Sequence, residues 1–350
     1  MNILIDIGHP AHVHLFKHTA RLLIQQGHHV WFTARRMPII EQLMKAEGFT
    51  FRCVGGKHQT LAGKGLSVVH QTLWTIAFAW RHHIDVGLSS GLVQTIAALL
   101  SPMRAVVMDD DDSEVEPLMA HLCHPFCHTV LTPDAIKRKS THACYYAGTH
   151  ELAYLHPRWF KPDPTVLEAV GLRVGDPFFI MRFVAFHGHH DIGESGLTLE
   201  QKLLIAEKLA QHGRVIVSSE AALPSPLEPY RMAVPADKIH SLMAYASLYV
   251  GDSQTMTSES ALLGVPALKC NTFSGRLSVP NMLEAAGLCM SFTPSQFDTM
   301  MRSLDALLQQ PDYGRAQWIG RRDTLLERMI DVSSFVATYI TDTMDKKNRH

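Results

Sequence analysis

The chain has 350 residues, of which 46% are hydrophobic and 19% are charged, with a formal net charge of -1. This length favours two domains over one, and the balanced charge excludes the basic excess of a typical nucleic-acid-binding protein. No apolar stretch predicts a membrane-spanning helix, and the opening residues MNILIDIG predict a strand rather than a signal peptide. The six cysteines are scattered along the chain, which fits reduced thiols in a cytoplasm.

The amino-terminal segment predicts a β-α-β unit of a parallel, doubly wound sheet. Apolar residues over 3–7 indicate a strand, and helical spacing and a second strand follow. The turn after the first strand carries Gly8, His9, His12 and His14, at the edge where such sheets bind ligands. A neutral imidazole can take a proton from a hydroxyl nucleophile, so we predict His12 as the general base and His14 as a second catalytic candidate. For at least two of the three histidines, capping or packing is the simpler interpretation.

The next stretch predicts a mobile glycine-rich loop and an apolar helix. Glycines at 55, 56, 63 and 65 place the loop before a helix that is expected over 66–83. The apolar side chains of this helix are typical of a domain core. The group Arg81, His82 and His83 at its end also fits a peripheral membrane contact.

An acidic run follows a strand that is predicted over 105–108. It contains four consecutive aspartates, which could hold Mg²⁺, cap the next helix or recognise acceptor hydroxyls. We favour no metal here, and we name Asp110 as a catalytic candidate. Cys123 and Cys127 fit no common zinc module, so no metal is predicted there either. The last strand of this half is expected over 129–133, with an irregular crossing over 145–164.

The second half repeats an α/β pattern. Arg182 lies inside the apolar strand predicted over 177–184, where a guanidinium needs a phosphate, a carboxylate or a structural ion pair as its partner. The polar loop that follows contains His187 and Gly188, and it is predicted to line an interdomain cleft or, less simply, to hold a metal.

The segment GDSQTMTSESALLGVPAL, which runs from Gly251 to Leu268, predicts a strand, a hydroxyl-rich turn, a helix and another strand. A helix that begins near Thr255 offers unpaired N–H groups and a positive dipole end, which suits a phosphate or diphosphate. Glu259 lies one turn further on, where a carboxylate could accept hydrogen bonds from ribose hydroxyls. The alternative is an ordinary capped helix with a solvated glutamate.

This segment resembles the donor-nucleotide segment of GT-B glycosyltransferases and of UDP-N-acetylglucosamine 2-epimerase, and GHPAHVHLF is similar to the first loop of the N-acetylglucosaminyltransferase that makes lipid II. Together with HELAYLHP, RFVAFHGHHDIGESGL and VIVSSE, these stretches resemble domain-of-unknown-function family 354, a family of predicted glycosyltransferases. The resemblance implies a GT-B-like α/β fold, with two Rossmann-like, doubly wound parallel-sheet domains that face a cleft. We expect an acceptor domain over 1–155, completed by a carboxyl-terminal helix over 328–345, and a donor domain over 156–327.

The resemblance also implies partners and site residues. The partners are a nucleotide-sugar donor, expected to be a UDP-sugar, and a glycan or lipid-linked acceptor, with no nucleic acid and no cofactor. The protein is expected in the cytoplasm or at the inner face of the membrane. Donor phosphates would bind Ser253, Thr255, the Met256 N–H and Arg182, the ribose would bind Glu259, and the base would lie near Ser218 and residues 239–242. The other predicted substrate-binding residues are Gly8, His9, His187, Gly188, Ser219, His240 and Gln254. An epimerase or hydrolase of the same donor, and a non-catalytic sugar-nucleotide-binding protein, are the alternatives.

Overall fold

The computed structural model describes residues 1–56, 60–136, 141–183, 195–219, 223–232 and 234–344, except for the side chains at 61, 62, 64, 219, 343 and 344. The chain divides into two compact units. Unit 1 is Met1–Trp159 with Ile330–His350, and unit 2 is Phe160–Met329. The boundaries expected from the sequence were 155/156 and 327/328.

The strands of unit 1 form one parallel sheet. They are β1 (Asn2–Ile7), β2 (His29–Ala34), β3 (Arg52–Cys53), β4 (Val86–Ser89), β5 (Arg104–Met108), β6 (Thr129–Pro133) and β7 (Ala143–Tyr146). Within the described residues, the order is β3-β2-β1-β4-β5-β6-β7. In register, Ile5 of β1 pairs with Phe32 on one side and Leu88 on the other. Both faces of such a strand are covered, which explains its near-continuous apolar sequence.

Helices connect these strands. They are α1 (Pro10–Gln25), α2 (Pro38–Ala46), α3 (Leu61–His82), α4 (Leu92–Ala98), α5 (Pro117–Leu122) and α6 (Leu152–Leu155). Each of α1, α2 and α5 begins with a proline, whose missing N–H is not needed in the first turn of a helix.

Two expectations for unit 1 are wrong. The glycine-rich loop ends earlier than predicted, because the Thr60 hydroxyl accepts a hydrogen bond from the Gly63 N–H at 3.1 Å and caps a helix that already begins at Leu61. The sheet also continues past β6, since β7 pairs with it in the register Thr132–Tyr145. The sequence of β7, ACYY, is too short to show a periodic pattern.

Unit 2 contains a second parallel sheet. Its elements are α7 (Thr165–Ala169), β8 (Phe178–Phe183), α8 (Leu199–Ala210), β9 (Arg214–Ser219), α9 (Ile239–Tyr245), β10 (Leu248–Gly251), α10 (Gln254–Leu262), β11 (Ala267–Cys270), α11 (Ser278–Ala285), β12 (Met290–Phe292), α12 (Phe297–Leu308) and α13 (Arg315–Leu326), with short 3-10 helices at Ser225–Tyr230, Ala236–Lys238, Pro294–Gln296 and Pro311–Gly314. Among the described residues, the strand order is β12-β11-β10-β8-β9. Phe179, Met181, Leu248 and Leu268 are fully buried in its core.

The carboxyl-terminal part of the chain returns to unit 1 as α14 (Val332–Tyr339), followed by a π-helical turn, Ile340–Met344. The Ser333 hydroxyl donates to the carbonyl oxygen of Ala153 at 2.8 Å, and the Ser333 carbonyl oxygen accepts from the hydroxyl of Thr19 at 3.4 Å. These contacts hold α14 against α1 and α6.

The predicted fold class is confirmed as two α/β units, each built on an all-parallel sheet. Over the described ranges, no helix combines the length and the apolar composition that crossing a bilayer requires.

Candidate active site

The turn after β10 is built as the sequence predicts. Ser253 is the N-cap of α10, and its hydroxyl accepts a hydrogen bond from the Met256 N–H at 3.4 Å. Thr255 in the first turn is exposed. A Cβ on Gly251 would clash with the carbonyl oxygen of Arg182, so glycine permits the close approach of β10 and β8 here. The result is a capped helix start at the carboxyl end of a central parallel strand.

Glu259 is not a solvated surface glutamate. It is 5% exposed, and its Oε1 lies 2.9 Å from Nε2 of His240, which is itself 6% exposed. His240 lies in the first turn of α9, and the ring of Phe160 meets its imidazole edge to face. The contact therefore joins two predicted substrate-binding residues from neighbouring helices into one buried pair.

Arg182 has a hydroxyl partner on the next strand. Its Nη1 donates to the Ser218 hydroxyl oxygen at 3.0 Å, and the two residues pair in register across β8 and β9. On the other side of β8, Arg182 pairs in register with Gly251 of β10. The structure thus brings Arg182, Ser218 and the turn before α10 to one edge of the unit 2 sheet.

A lysine fixes the first residue of α10. The Lys269 ammonium donates to Oε1 of Gln254 at 2.7 Å, and burial lowers the pKa of this lysine to about 8. The Gln254 Nε2 is buried without a hydrogen-bond partner among the described residues. It is therefore a donor that a ligand oxygen at the helix start would satisfy.

Three predicted site residues cannot be placed fully. His187 and Gly188 lie outside the described residues, and the side chain of Ser219 is not described.

In unit 1, the three histidines after β1 have different surroundings. His9 caps α1, since its Nδ1 accepts from the Ala11 N–H at 3.3 Å. His14 is buried on α1 with its ring 5.4 Å from that of Tyr154. The geometry favours capping for the first and packing for the second, the simpler interpretation that the sequence also allows.

The third histidine, His12, accepts a hydrogen bond at Nδ1 from the Gly8 N–H at 3.3 Å. With Nδ1 as the acceptor, the proton of the neutral ring is on Nε2. Burial, together with the nearby His9 and His150, lowers the pKa of His12 to about 3. Both facts favour a neutral imidazole that donates a hydrogen bond through Nε2 over the general base predicted from the sequence.

Asp110 pairs with a histidine that the sequence analysis did not name. Its Oδ1 lies 3.1 Å from Nδ1 of His150, whose Nε2 is buried with no partner among the described residues. Burial alone would lower the pKa of His150, but the Asp110 carboxylate, together with Glu151 and Asp109, outweighs burial and raises this pKa. A carboxylate at Nδ1, with Nε2 left without a protein partner among the described residues, is the arrangement of a histidine that moves protons.

The neighbouring carboxylates have histidine partners or backbone contacts of their own. Asp109 Oδ2 lies 2.7 Å from Nε2 of His124, and its Oδ1 accepts from the Asp111 N–H at 3.0 Å. Oxygens of Asp109, Asp110 and Asp111 lie within 4.8 Å of one another, a grouping that could hold a cation. Two of these three carboxylates are already paired with histidines, and the absence of a metal stays a prediction.

His150 was missed because its element was missed. It follows β7, which was not predicted, and it lies in the HELAYLHP stretch that the family resemblance had already marked. A correct assignment of β7 would have placed His150 just beyond the carboxyl end of a strand in the same sheet as β5 and Asp110.

Known proteins share this fold. UDP-GlcNAc 2-epimerase from Neisseria meningitidis, solved bound to UDP-GlcNAc, aligns with a TM-score of 0.65 at 12% identity and covers 94% of this chain and 99% of its own. The spinosyn forosaminyltransferase SpnP aligns with a TM-score of 0.64 at 16% identity over the full length of both chains. The fold is therefore that of GT-B glycosyltransferases and UDP-GlcNAc 2-epimerases.

Sequence comparison gives a more direct relationship. An uncharacterised protein of Methanocaldococcus jannaschii is 21% identical over 291 residues, which is 77% of this chain and 82% of that protein. A family model matches residues 1–293, and this confirms the resemblance seen in the sequence motifs. The chain belongs to the family described as protein of unknown function DUF354.

Proposed function

We propose that the protein is a glycosyltransferase that transfers a sugar from a nucleotide-diphosphate donor, a UDP-sugar, to a glycan or glycolipid acceptor in surface polysaccharide synthesis. The observation that carries the proposal is the buried His240–Glu259 pair, one turn inside the capped start of α10. The likeness in fold to a UDP-GlcNAc-bound epimerase and to a sugar transferase supports it.

Unit 2 holds the donor in this proposal. The Thr255 hydroxyl, the Gln254 amide and the first N–H groups of α10 bind the diphosphate, and the Arg182 guanidinium supplies positive charge from the neighbouring strand. The Glu259 carboxylate accepts hydrogen bonds from the ribose hydroxyls while His240 fixes its orientation. The helix dipole and Arg182 then stabilise the departing diphosphate without a metal.

Unit 1 handles the proton. An acceptor hydroxyl oxygen bonds to the anomeric carbon, the bond from that carbon to the phosphate oxygen breaks, and UDP leaves with the bonding electrons. The hydroxyl proton passes to Nε2 of His150, while Asp110 at Nδ1 stabilises the imidazolium that forms. His12 donates a hydrogen bond from its own Nε2.

The test is release of UDP from a panel of UDP-sugars in the presence of glycan and lipid-linked acceptors, together with calorimetric binding of UDP. We expect His150→Gln to lower transfer by about 10²–10⁴-fold with UDP affinity unchanged, and His12→Gln to lower it less. A larger loss of transfer for His12→Gln than for His150→Gln would instead support His12 as the base. If the wild-type protein bound no nucleoside diphosphate, the proposed function would be wrong.

An epimerase or hydrolase that acts on the same donor is the second candidate, and the carboxylates of Asp109, Asp110 and Asp111 favour it. Such enzymes use additional acids and bases beside the sugar, and here two of the carboxylates contact histidines. Incubation with the donor alone separates the candidates. An epimer or free sugar formed without any acceptor would select this second function.

A further inference from the structure

One surface of unit 1 exposes apolar side chains where a helix normally carries charge. On α3, Leu66 is 72% exposed, Leu73 61% and Trp80 58%, and Val69 is exposed between them. At 100° per residue these four positions fall within an arc of about 60°. They form one apolar stripe that points outward, whereas a surface helix usually turns polar side chains to water.

The stripe is separate from the core-facing side of the same helix. Phe78 and Ala79 are buried, and the Phe78 ring packs against Trp31. The core contacts of α3 are therefore made by other residues, and the stripe is in excess of what the fold of unit 1 needs.

The apolar surface continues onto the residues just after α4. The Trp80 indole N–H donates to the carbonyl oxygen of Leu100 at 3.0 Å, which ties α3 to the end of the next helix. Leu99 and Leu100 there are 55% and 65% exposed. We define the α3 face by its exposed apolar residues, which are Leu66, Val69, Leu73, Trp80, Leu99 and Leu100.

The two helices that carry this face have no acidic side chain. Neither α3 nor α4 contains an aspartate or glutamate, and Asp85 is the one carboxylate in the sequence between residues 57 and 108. Asp85 is occupied, since its Oδ2 accepts from the Asn2 N–H at 2.8 Å. Arg81 is exposed directly beside Trp80. Arg81 therefore places a positive charge beside the face, and neither helix places a negative charge there.

We propose that the α3 face docks on a lipid bilayer that contains anionic lipids. Leucine, valine and tryptophan side chains enter the interface between headgroups and acyl chains, and Arg81 meets the anionic headgroups. The helix lies on the membrane and does not cross it. The proposal goes beyond the nucleotide-sugar function and depends on none of its residues, but it would bring unit 1 to a lipid-linked acceptor.

A second copy of the chain is a less suitable partner for this face. Two copies of α3 packed in parallel would bring their Arg81 side chains together, and in neither orientation does the other helix offer a carboxylate to pair with this arginine. An anionic bilayer supplies the opposite charge that a second copy lacks.

The test is co-sedimentation of the full chain with vesicles of phosphatidylglycerol and phosphatidylcholine in equal parts, and with vesicles of phosphatidylcholine alone. We expect wild-type protein to sediment with the anionic vesicles, and added salt to release it. Leu73→Glu and Trp80→Glu should each weaken binding by at least about tenfold. Leu204→Glu, at a 47% exposed leucine on α8, is the matched control and should bind like wild type.

Light scattering and UDP calorimetry on the same samples separate the outcomes. The proposal would be overturned if wild-type protein bound neither kind of vesicle. It would also be overturned if the Leu204→Glu control lost as much binding as Leu73→Glu and Trp80→Glu. A dimer that Leu73→Glu converts to a monomer, without vesicle binding, would assign the face to a second copy instead. UDP affinity should be the same in all variants, so a failure here is distinct from a failure of the proposed function.

Discussion

The His12 imidazole illustrates how a single backbone contact limits the chemistry of a side chain. Its Nδ1 accepts the Gly8 N–H, and burial together with His9 and His150 depresses its pKa to about 3. A histidine in the unfolded chain has a pKa near 6.5. As the pH falls below that value, the unfolded chain therefore binds a proton that the folded protein does not accept.

This difference in proton binding predicts that the contribution of His12 to the free energy of unfolding depends on pH. The depressed pKa means that its contribution to stability is complete above about pH 6.5 and is lost as the pH falls toward 3. Relative to His12→Gln, we expect the wild-type free energy of unfolding to fall by about 1–2 kcal/mol between pH 7.5 and pH 5. Urea unfolding of both proteins at the two pH values measures it. A difference between the proteins that does not change with pH would contradict the buried, neutral state of His12.

For single residues, the sequence predicts where a histidine lies in the fold, whereas its contacts in the folded protein determine its protonation and its role. The position of His12 after β1 follows from the β-α-β pattern. Its protonation depends first on burial and then on His9 and His150, and His150 is distant in sequence and follows a strand that the pattern did not reveal. The pairing of His240 with Glu259 likewise depends on two helices meeting, which no local spacing encodes.

At the scale of elements, α10 combines two roles at its first turn. Ser253 caps the helix through the Met256 N–H, and the same turn is the proposed diphosphate site. Capping stabilises the native state in the absence of ligand, whereas anion binding requires that no negative charge be placed there. The two roles can therefore be separated by substitution.

A matched pair of variants at Ser253 separates them. Ser253→Ala removes the cap and should cost about 1 kcal/mol of unfolding free energy. Ser253→Asp keeps a capping oxygen and favours the helix dipole, so the fold should be at least as stable as wild type. Its carboxylate repels a diphosphate, and we expect UDP affinity to fall by at least about tenfold. Thermal unfolding measures the change in stability, and calorimetry measures the change in UDP affinity. Tight UDP binding by Ser253→Asp would indicate that the phosphate site lies elsewhere.

The elements themselves were predictable where their patterns are long. The strand, turn and helix from β10 through α10 were expected because an apolar run, a hydroxyl-rich turn and a second apolar run follow one another there. Gly264 and Pro266 mark the end of the helix. The four residues of β7 could not be found, since their place is set by pairing with β6 rather than by their own composition. The start of α3 was missed because the glycines at 63 and 65 were assigned to the loop, and the prediction did not consider Thr60 as a cap.

For the whole molecule, the division into two units separates the two proposed tasks. Each unit has its own parallel sheet, and the described residues of the donor proposal all belong to unit 2, whereas His12, Asp110 and His150 belong to unit 1. The chain crosses between units twice, and α14 completes unit 1 by packing on α1. In the proposed function, binding of the nucleotide and transfer of the proton are therefore assigned to different compact units of the chain.

Hydrogen exchange measured by mass spectrometry tests this separation. A ligand that binds the native state lowers the population of locally opened forms at its site, and at 100 times its Kd it contributes about 2.7 kcal/mol. With saturating UDP we expect the largest gain in protection in peptides that cover α9 and α10, and little change in peptides of β1, α1 and β5. Glu259→Ala should abolish the gain, because it removes the proposed ribose contact. Protection that was greatest in unit 1 would reverse the assignment of donor and acceptor units, whatever the catalytic residue.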